Sequence, residues 1–243
     1  MESEDAKSRL RRVIGDAGVE RLARSCVAVF GIGGVGSSCA EALVRGGVGT
    51  LVFVDRDVVE PSNVNRQAIA FSSTVGRPKV DVMAAMARDI NPDVRVFCHE
   101  GFVLDDVAAV LEGMPQPDYL IDAVDTVKAK LAIAQYAQRE GVPIVASMGG
   151  ANKLDPTRLR FADLYETQNC PLSRAVRKQA RTAGIEHLTV LYSDEPPVKV
   201  AEAAGAARRE RTELGTMSYM PPIMGQMIAG YVIRDLLKGV PPF

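Results

Sequence analysis

The residues best suited to chemistry begin at a glycine cluster. Gly31-Ile32-Gly33-Gly34-Val35-Gly36 has the spacing G-x-G-x-x-G, directly after the apolar run Cys26–Phe30 and at the head of a helical pattern. Gly31 and Gly33 allow a sharp turn and close approach of backbone to a phosphate, and Gly36 allows a helix to pack tightly on a sheet. Phosphate would sit at that helix start, where free N–H groups and the helix dipole favour an anion. Asp55 follows Gly36 by 19 residues, at the end of the next apolar run. A carboxylate there accepts hydrogen bonds from ribose hydroxyls.

The glycine turn alone fits any dinucleotide or adenine nucleotide. The next segment narrows the choice. It reads Asp55-Arg56-Asp57-Val58-Val59-Glu60-Pro61-Ser62-Asn63-Val64-Asn65-Arg66-Gln67, and Val75-Gly76-Arg77-Pro78-Lys79 comes shortly after. A dinucleotide enzyme has no need of an arginine and a lysine aimed at a terminal phosphate. An adenylating enzyme must hold a triphosphate and neutralise the charge that builds on departing pyrophosphate. Arg66 offers a planar fork for phosphate oxygens, and Lys79 a point charge at a helix start. Alternatively, Arg66 is a surface salt bridge and Lys79 a solvated helix residue. Asp122 and Asp125 end a fourth apolar run. Magnesium bound to a nucleotide uses one or two carboxylates, so Asp125 is the candidate metal contact. Its alternative role is to cap the following helix, and Asp122 could support the site from behind.

These residues need a frame. Short β-branched runs at Cys26–Gly34, Thr50–Asp55, Val94–His99, Asp118–Asp125 and Val142–Ser147 alternate with helical patterns near Val35–Arg45, Lys79–Ile90, Leu104–Glu112 and Val127–Glu140. Continuous apolar strands separated by helices predict a doubly wound α/β, Rossmann-like fold with a mostly parallel sheet. Ligands of such sheets bind outside the carboxyl ends of the strands. After Ser147 the pattern loosens. A turn and short strand are expected over Asn152–Leu164, a basic helix over Pro171–Ala183, a strand over Leu188–Ser193, a mobile loop or short helix over Asp194–Thr216 and a closing helix over Pro221–Lys238. The division expected is a nucleotide-binding core over 8–150, with residues 151–243 as a substrate-binding and dimerisation extension of the same domain.

Composition sets the outer limits. The chain has 243 residues, 47% hydrophobic and 24% charged, with 29 Lys and Arg against 30 Asp and Glu. A net charge of −1 argues against a protein basic all over but permits a local patch. The N-terminal residues lack the apolar core of a secretory signal, and the longest apolar stretch, Ile223–Leu237, is interrupted by Gln226, Arg234 and Asp235. A cytoplasmic protein without membrane insertion is expected. Cys26, Cys39, Cys98 and Cys170 form no C-x-x-C pair, which argues against disulfides and a four-cysteine zinc site. Cys170 reads as a buried thiol rather than a nucleophile. His99 and His187 form no catalytic pair.

The segments GIGGVGS, DRDVVEPSNVNRQ, VGRPK and DAVDT resemble the ubiquitin-activating-like superfamily, which adenylates carboxylates. Ser147–Leu164, Pro171–Arg181 and Val190–Pro197 are similar to one branch of it, the tRNA threonylcarbamoyladenosine dehydratases. The resemblance implies a homodimer that uses ATP and magnesium to adenylate the threonyl carboxylate of threonylcarbamoyladenosine in tRNA. An internal nitrogen of the substrate then displaces AMP at high effective concentration, closing a ring without a protein nucleophile. By the same resemblance Gly31, Gly33, Gly34 and Gly36 form the nucleotide turn, and Asp55 holds ribose. Asn63 or Asn65, Arg66 and Lys79 hold phosphates, and Asp125 holds magnesium. An N-terminal arginine from the partner subunit completes such sites. Arg9 matches best, with Arg11 and Arg12 close by. The competing expectation is activation of the C-terminus of a ubiquitin-like or sulfur-carrier protein, so a carrier partner stays open.

Residues 151–185 hold seven basic residues (Lys153, Arg158, Arg160, Arg174, Arg177, Lys178, Arg181) against three acidic ones, and Arg208, Arg209 and Arg211 add a second cluster. Such a surface permits RNA phosphate contacts, and equally a solvated helix face.

Overall fold

A computed structural model of the chain describes residues 4–101, 106–198 and 214–241. Seven strands form one sheet: β1 (Cys26–Phe30), β2 (Thr50–Asp55), β3 (Arg95–Glu100), β4 (Tyr119–Asp122), β5 (Ile144–Ser147), β6 (Leu159–Asp163) and β7 (Thr189–Ser193). Their order is β3-β2-β1-β4-β5-β7-β6. Every neighbouring pair is parallel except β6–β7, which is antiparallel. The chain runs outward from β1 in both directions, so the order reverses between β1 and β4. In open α/β sheets a crevice opens at that point, beyond the carboxyl ends of the strands.

The helices are α1 (Ser8–Arg24), α2 (Gly34–Arg45), α3 (Lys79–Ile90), α4 (Val107–Leu111), α5 (Val127–Glu140), α6 (Pro171–Thr182) and α7 (Met220–Leu236). Alternate strand residues face opposite helix layers. Val27, Val29, Leu51 and Phe53 pack with α1, α2, α3 and α7. Ala28, Phe30, Val52 and Val54 pack with α4 and α5. Burial on both faces explains why these strands read as unbroken apolar runs. A third cluster joins α6 to β7 through Val176, Ala180, Val190 and Tyr192.

The closing helix α7 lies against α2. A Cβ on Gly225 would stand 2.4 Å from the Val35 carbonyl oxygen, so the two helices meet backbone to backbone. Met220 and Met224 are fully buried there as core residues. Among the described residues no helix is long and apolar enough to cross a membrane.

The structure adds what periodicity did not show. Helix α1 had no expected counterpart, because Gly15 interrupts it at φ +67° and its apolar face is only Ile14, Gly18, Val19 and Leu22. Helix α4 is five residues long, and the start of the helix expected over Leu104–Glu112 lies outside the described residues. The cluster Arg208, Arg209 and Arg211 also lies outside them, as does most of the expected 194–216 loop.

Candidate active site

A cleft of about 690 Å³ opens at the carboxyl ends of β1, β2, β4 and β5. Its floor is the glycine turn. Gly31 has φ +89°, and a Cβ there would stand 2.8 Å from the Ala123 carbonyl oxygen. Gly36 is more constrained, since its Cβ would fall 1.7 Å from the Gly31 carbonyl oxygen. Gly33 is different: a Cβ would meet only the Gln67 side chain, at 3.9 Å, so that position faces open cleft. Gly33 is the N-cap of α2, and the first N–H groups of a helix have no intrahelical acceptor. The cleft therefore offers an anion site at a helix start.

Asp55 fixes this turn. One carboxylate oxygen accepts from Ile32 N–H at 2.6 Å and the other from Asp57 N–H at 2.8 Å. An ionised carboxylate has about four acceptor positions, so two remain for a ligand. Ser37 ties the turn to the next loop, donating to the Gly33 carbonyl at 2.6 Å and accepting from Ala68 N–H at 3.1 Å.

That loop carries the cationic residues. Pro61–Asn63 forms a short 3-10 turn in which buried Asn63 accepts from Glu60 N–H at 3.1 Å. Arg66 lines the cleft, and its Nη1 donates to the Ser62 carbonyl and to Asn65 Oδ1, each at 2.9 Å. An isolated bridge between Val58 and Pro78 brings the loop back, which sets Lys79 at the first turn of α3. Lys79 is 6% exposed and donates to Asp57 at 2.9 Å. It is a held cation facing the cleft rather than a solvated helix residue.

Asp125 lies on the opposite lip, exposed, and accepts from the Thr126 hydroxyl at 3.3 Å. Thr126, not Asp125, occupies the N-cap of α5, and no side chain caps it. Asp122 lies beneath, fully buried, and accepts from Lys130 at 3.0 Å and from Val124 N–H at 3.1 Å. Lys130 also donates to the Ser147 carbonyl at 2.7 Å. Burial pushes the Asp122 carboxyl above its ordinary range, against the pull of Lys130. This pair joins β4, β5 and α5 under the cleft.

The far wall is Met148, Gly149, Gly150, Leu172, Leu214 and Thr216. Gly31, Gly33, Gly34, Asp55, Asn63, Arg66, Lys79 and Asp125 thus share one cleft, with Gly36 behind it. Asn65 is not among the described residues lining it. Its side chain instead donates to the Thr216 carbonyl at 3.1 Å. Arg9 is exposed on α1, also away from the lining. No cysteine lines the cleft among the described residues. Burial pushes the thiols of Cys26 and Cys98 to about 11, and that of Cys39 higher still.

Sequence reasoning passed over Lys130 and Asp57. Lys130 had a readable signal, since it falls on the apolar stripe of Ile133, Ala134 and Ala137, where an unpaired lysine would not be tolerated. Asp57 had none beyond its closeness to Asp55.

The model of the ThiF family matches residues 6–242. A tRNA threonylcarbamoyladenosine dehydratase of Bacillus subtilis (strain 168) is 39% identical, over 96% of this chain and 95% of its own length. The crystal structure of an Escherichia coli tRNA N6-threonylcarbamoyladenosine dehydratase in complex with ATP superposes with TM-score 0.83 at 30% identity, covering 93% of this chain and 91% of that one. A sulfur carrier protein ThiS adenylyltransferase of B. subtilis is 34% identical over only 54% of this chain and 39% of its own length. Family model and near full-length relatives agree: the chain belongs to the ThiF family, on the branch of the tRNA threonylcarbamoyladenosine dehydratases.

Proposed function

We propose that this protein is an ATP-dependent tRNA threonylcarbamoyladenosine dehydratase, which adenylates the threonyl carboxylate of the modified nucleoside and promotes its cyclisation. The observation that carries this reading is the cleft itself. A helix-start anion site, Arg66, Lys79 and Asp125 share one edge, facing a largely apolar wall with no cysteine among the described residues.

A carboxylate resists attack because its oxygens are charged and leave badly, and adenylation gives it a good leaving group. The turn at Gly31, Gly33 and Gly34 receives phosphate, and Asp55 receives ribose with its two remaining acceptor positions. Arg66 and Lys79 stabilise the charge that develops on pyrophosphate. Lys79 would exchange Asp57 for phosphate. Asp57 is solvent-exposed, so its release costs little. Asp125 fits magnesium, because it is exposed in the cleft with a single side-chain donor on it among the described residues. Bound there, the ion would neutralise phosphate oxygens. AMP is then displaced by the substrate's own carbamoyl group, for which the protein supplies position rather than a nucleophile.

We assign adenylation to residues 8–150 and substrate binding and dimer contacts to 151–243. In a homodimer, Arg9 would reach the partner's cleft. Among the described residues Arg11 pairs with Asp5 and Asp16, and Arg12 with Glu4, whereas Arg9 has no ion pair. The tRNA would follow the exposed side of α6, and the enzyme would work in the cytoplasm with its substrate.

The test is incubation with ATP, magnesium and tRNA bearing threonylcarbamoyladenosine, followed by mass spectrometry of the nucleosides. The modified nucleoside should lose one water, with AMP and pyrophosphate formed. Lys79→Ala should cut pyrophosphate release by about a hundredfold or more, the usual effect of removing one charge-stabilising donor. An unchanged nucleoside, with a carrier-protein peptide adenylated instead, would overturn the reading.

A further inference from the structure

We infer that Asn65 is a positioning residue that ties a strap across the acyl end of the cleft to the phosphate-binding arginine, and that this strap keeps water from the adenylate. The inference rests on the adenylation proposed above.

The strap is residues 214–219. Leu214 and Thr216 line the cleft, whereas Gly215 and Met217 are exposed and do not line it. A segment with one side on the cleft and one on solvent is a cover. Its large side chains Leu214, Met217 and Tyr219 are exposed, and hydrogen bonds hold it. Asn152 donates its backbone N–H to the Gly215 carbonyl at 2.8 Å and accepts from Gly215 N–H through Oδ1 at 2.9 Å. Tyr219 donates its hydroxyl to the Leu154 carbonyl at 2.8 Å. These ties anchor the strap to the chain beyond β5.

Asn65 anchors it on the other bank. Its amide nitrogen donates to the Thr216 carbonyl at 3.1 Å, and its amide oxygen accepts from Arg66 Nη1 at 2.9 Å. One side chain thus touches both the strap and the guanidinium that would hold phosphate. A nucleotide that fixes Arg66 also fixes the acceptor end of Asn65, and with it the donor end beneath Thr216. The strap is then most firmly held when the cleft is loaded.

That coupling matters because an acyl-adenylate has two fates. In the productive one, the carbamoyl nucleophile bonds to the acyl carbon, the carbon–oxygen bond to AMP breaks, and a proton is released. In the wasteful one, a water oxygen bonds to the same carbon, AMP leaves, a proton goes to solvent and the carboxylate is regenerated. A lone cleft open to water favours the second.

The ratio of AMP to cyclised nucleoside separates the two fates. It should be measured for the wild type, Asn65→Ala and Asn152→Gly, in water enriched in oxygen-18. Asn152 has φ +58°, which glycine adopts freely, so Asn152→Gly removes the side-chain half of the clasp on Gly215, leaving the backbone bond, without backbone strain and without touching the phosphate end. Both variants should raise the ratio by about two- to tenfold, the factor that one hydrogen bond commands. Recovered threonylcarbamoyladenosine should carry heavy oxygen in its carboxylate, and the ATP KM of Asn152→Gly should match the wild type. A ratio unchanged in either variant overturns the strap, even if overall rates fall. A wild type that forms no cyclised nucleoside overturns the dehydratase reading instead.

Discussion

The two ends of the sheet use charge differently. The strands β1, β2 and β4 are buried and carry only Asp55 and Asp122 as charged residues, and Asp55, Lys79 and Asp125 each line the cleft. Around β7 and β6 charged residues are many and mostly serve the fold. Arg158 and Arg160 both pair with Asp194, at 2.7 and 2.6 Å. Arg177 donates to the Thr167 carbonyl and hydroxyl at 2.7 and 2.8 Å. Arg181 lies over the Tyr165 ring at 5.6 Å, and Lys153 is 1% exposed, donating to the Asn169 and Glu195 carbonyls. Of the seven basic residues counted in this stretch, Arg174 and Lys178 are exposed and have no ion pair among the described residues. Spacing singled out residues that share one cleft, whereas a count of charges does not say which ones the fold has already taken.

The largest effect should come from the glycine turn, where neighbouring glycines serve opposite ends. Gly36→Ala places a Cβ 1.7 Å from the Gly31 carbonyl, and backbone cannot give way there without opening the turn. It should cost about 4 kcal/mol or more, the range reserved for named structural damage. At about 2–4 °C per kcal/mol for a chain this long, the melting temperature should fall by about 8 °C or more. Gly33→Ala meets open cleft, so its melting temperature should stay near the wild type. ATP affinity should instead fall by about tenfold, as for one lost hydrogen bond to a charged group. Calorimetric melting and titration with ATP check both. Equal thermal losses would erase the distinction between a glycine kept for packing and one kept for a ligand.

The next effect compares two buried lysines, one at each end. Lys130→Met strands Asp122 at 0% exposure without its partner, and breaking a buried pair costs about 3–5 kcal/mol. Lys153→Met leaves only neutral carbonyls unpaired, at about 1–3 kcal/mol. The two should also differ with pH. The Asp122 carboxyl is already raised by burial, and Lys130 is the main influence opposing that rise. Without Lys130 the folded protein binds a proton that the unfolded chain has released. Stability then falls as pH rises from the ordinary carboxylate range through the raised value. Urea unfolding of Lys130→Met should therefore show its smallest deficit in acid, and Lys153→Met should lack that trend.

Legibility in the sequence follows the same division. The helices over Lys79–Ile90 and Val127–Glu140 have the boundaries that periodicity gave them, because each has one apolar stripe and a clear start or stop. Helix α1 was hidden because a glycine breaks its backbone and its buried face is narrow. The antiparallel β6 was legible as a strand but not in direction, since direction depends on where α6 returns the chain. In the cleft, Gly31, Asp55, Arg66, Lys79 and Asp125 were singled out because a phosphate site would demand those types at those spacings, and all five line it. Asn65 and Lys130 were not assigned their contacts, because Thr216 lies 151 residues from Asn65 and Ser147, on β5, lies 17 residues from Lys130. A side chain whose partner is remote leaves only a polar residue in the sequence, with no pattern around it.

The smallest effect would separate surface charge from structural charge at the β7–β6 end. Arg174 and Lys178 are one helical turn apart on the exposed side of α6, and Leu172 of the same helix lines the cleft. A tRNA with its modified nucleoside in the cleft would therefore pass over them. Arg174→Gln with Lys178→Gln should leave the melting temperature unchanged and weaken tRNA binding. The slope of log affinity against log salt should flatten by about 0.7–0.9 for each lost phosphate contact. Arg177→Gln should do the reverse. It removes the donor from the Thr167 carbonyl and hydroxyl, lowering stability by about 1–3 kcal/mol while leaving the salt slope alone. Filter binding over a salt series, read beside thermal melts of the same proteins, measures both. If Arg177→Gln flattens the slope as much as the double variant, then counting charges along α6 was the better guide, and the contrast between the two ends of the sheet fails.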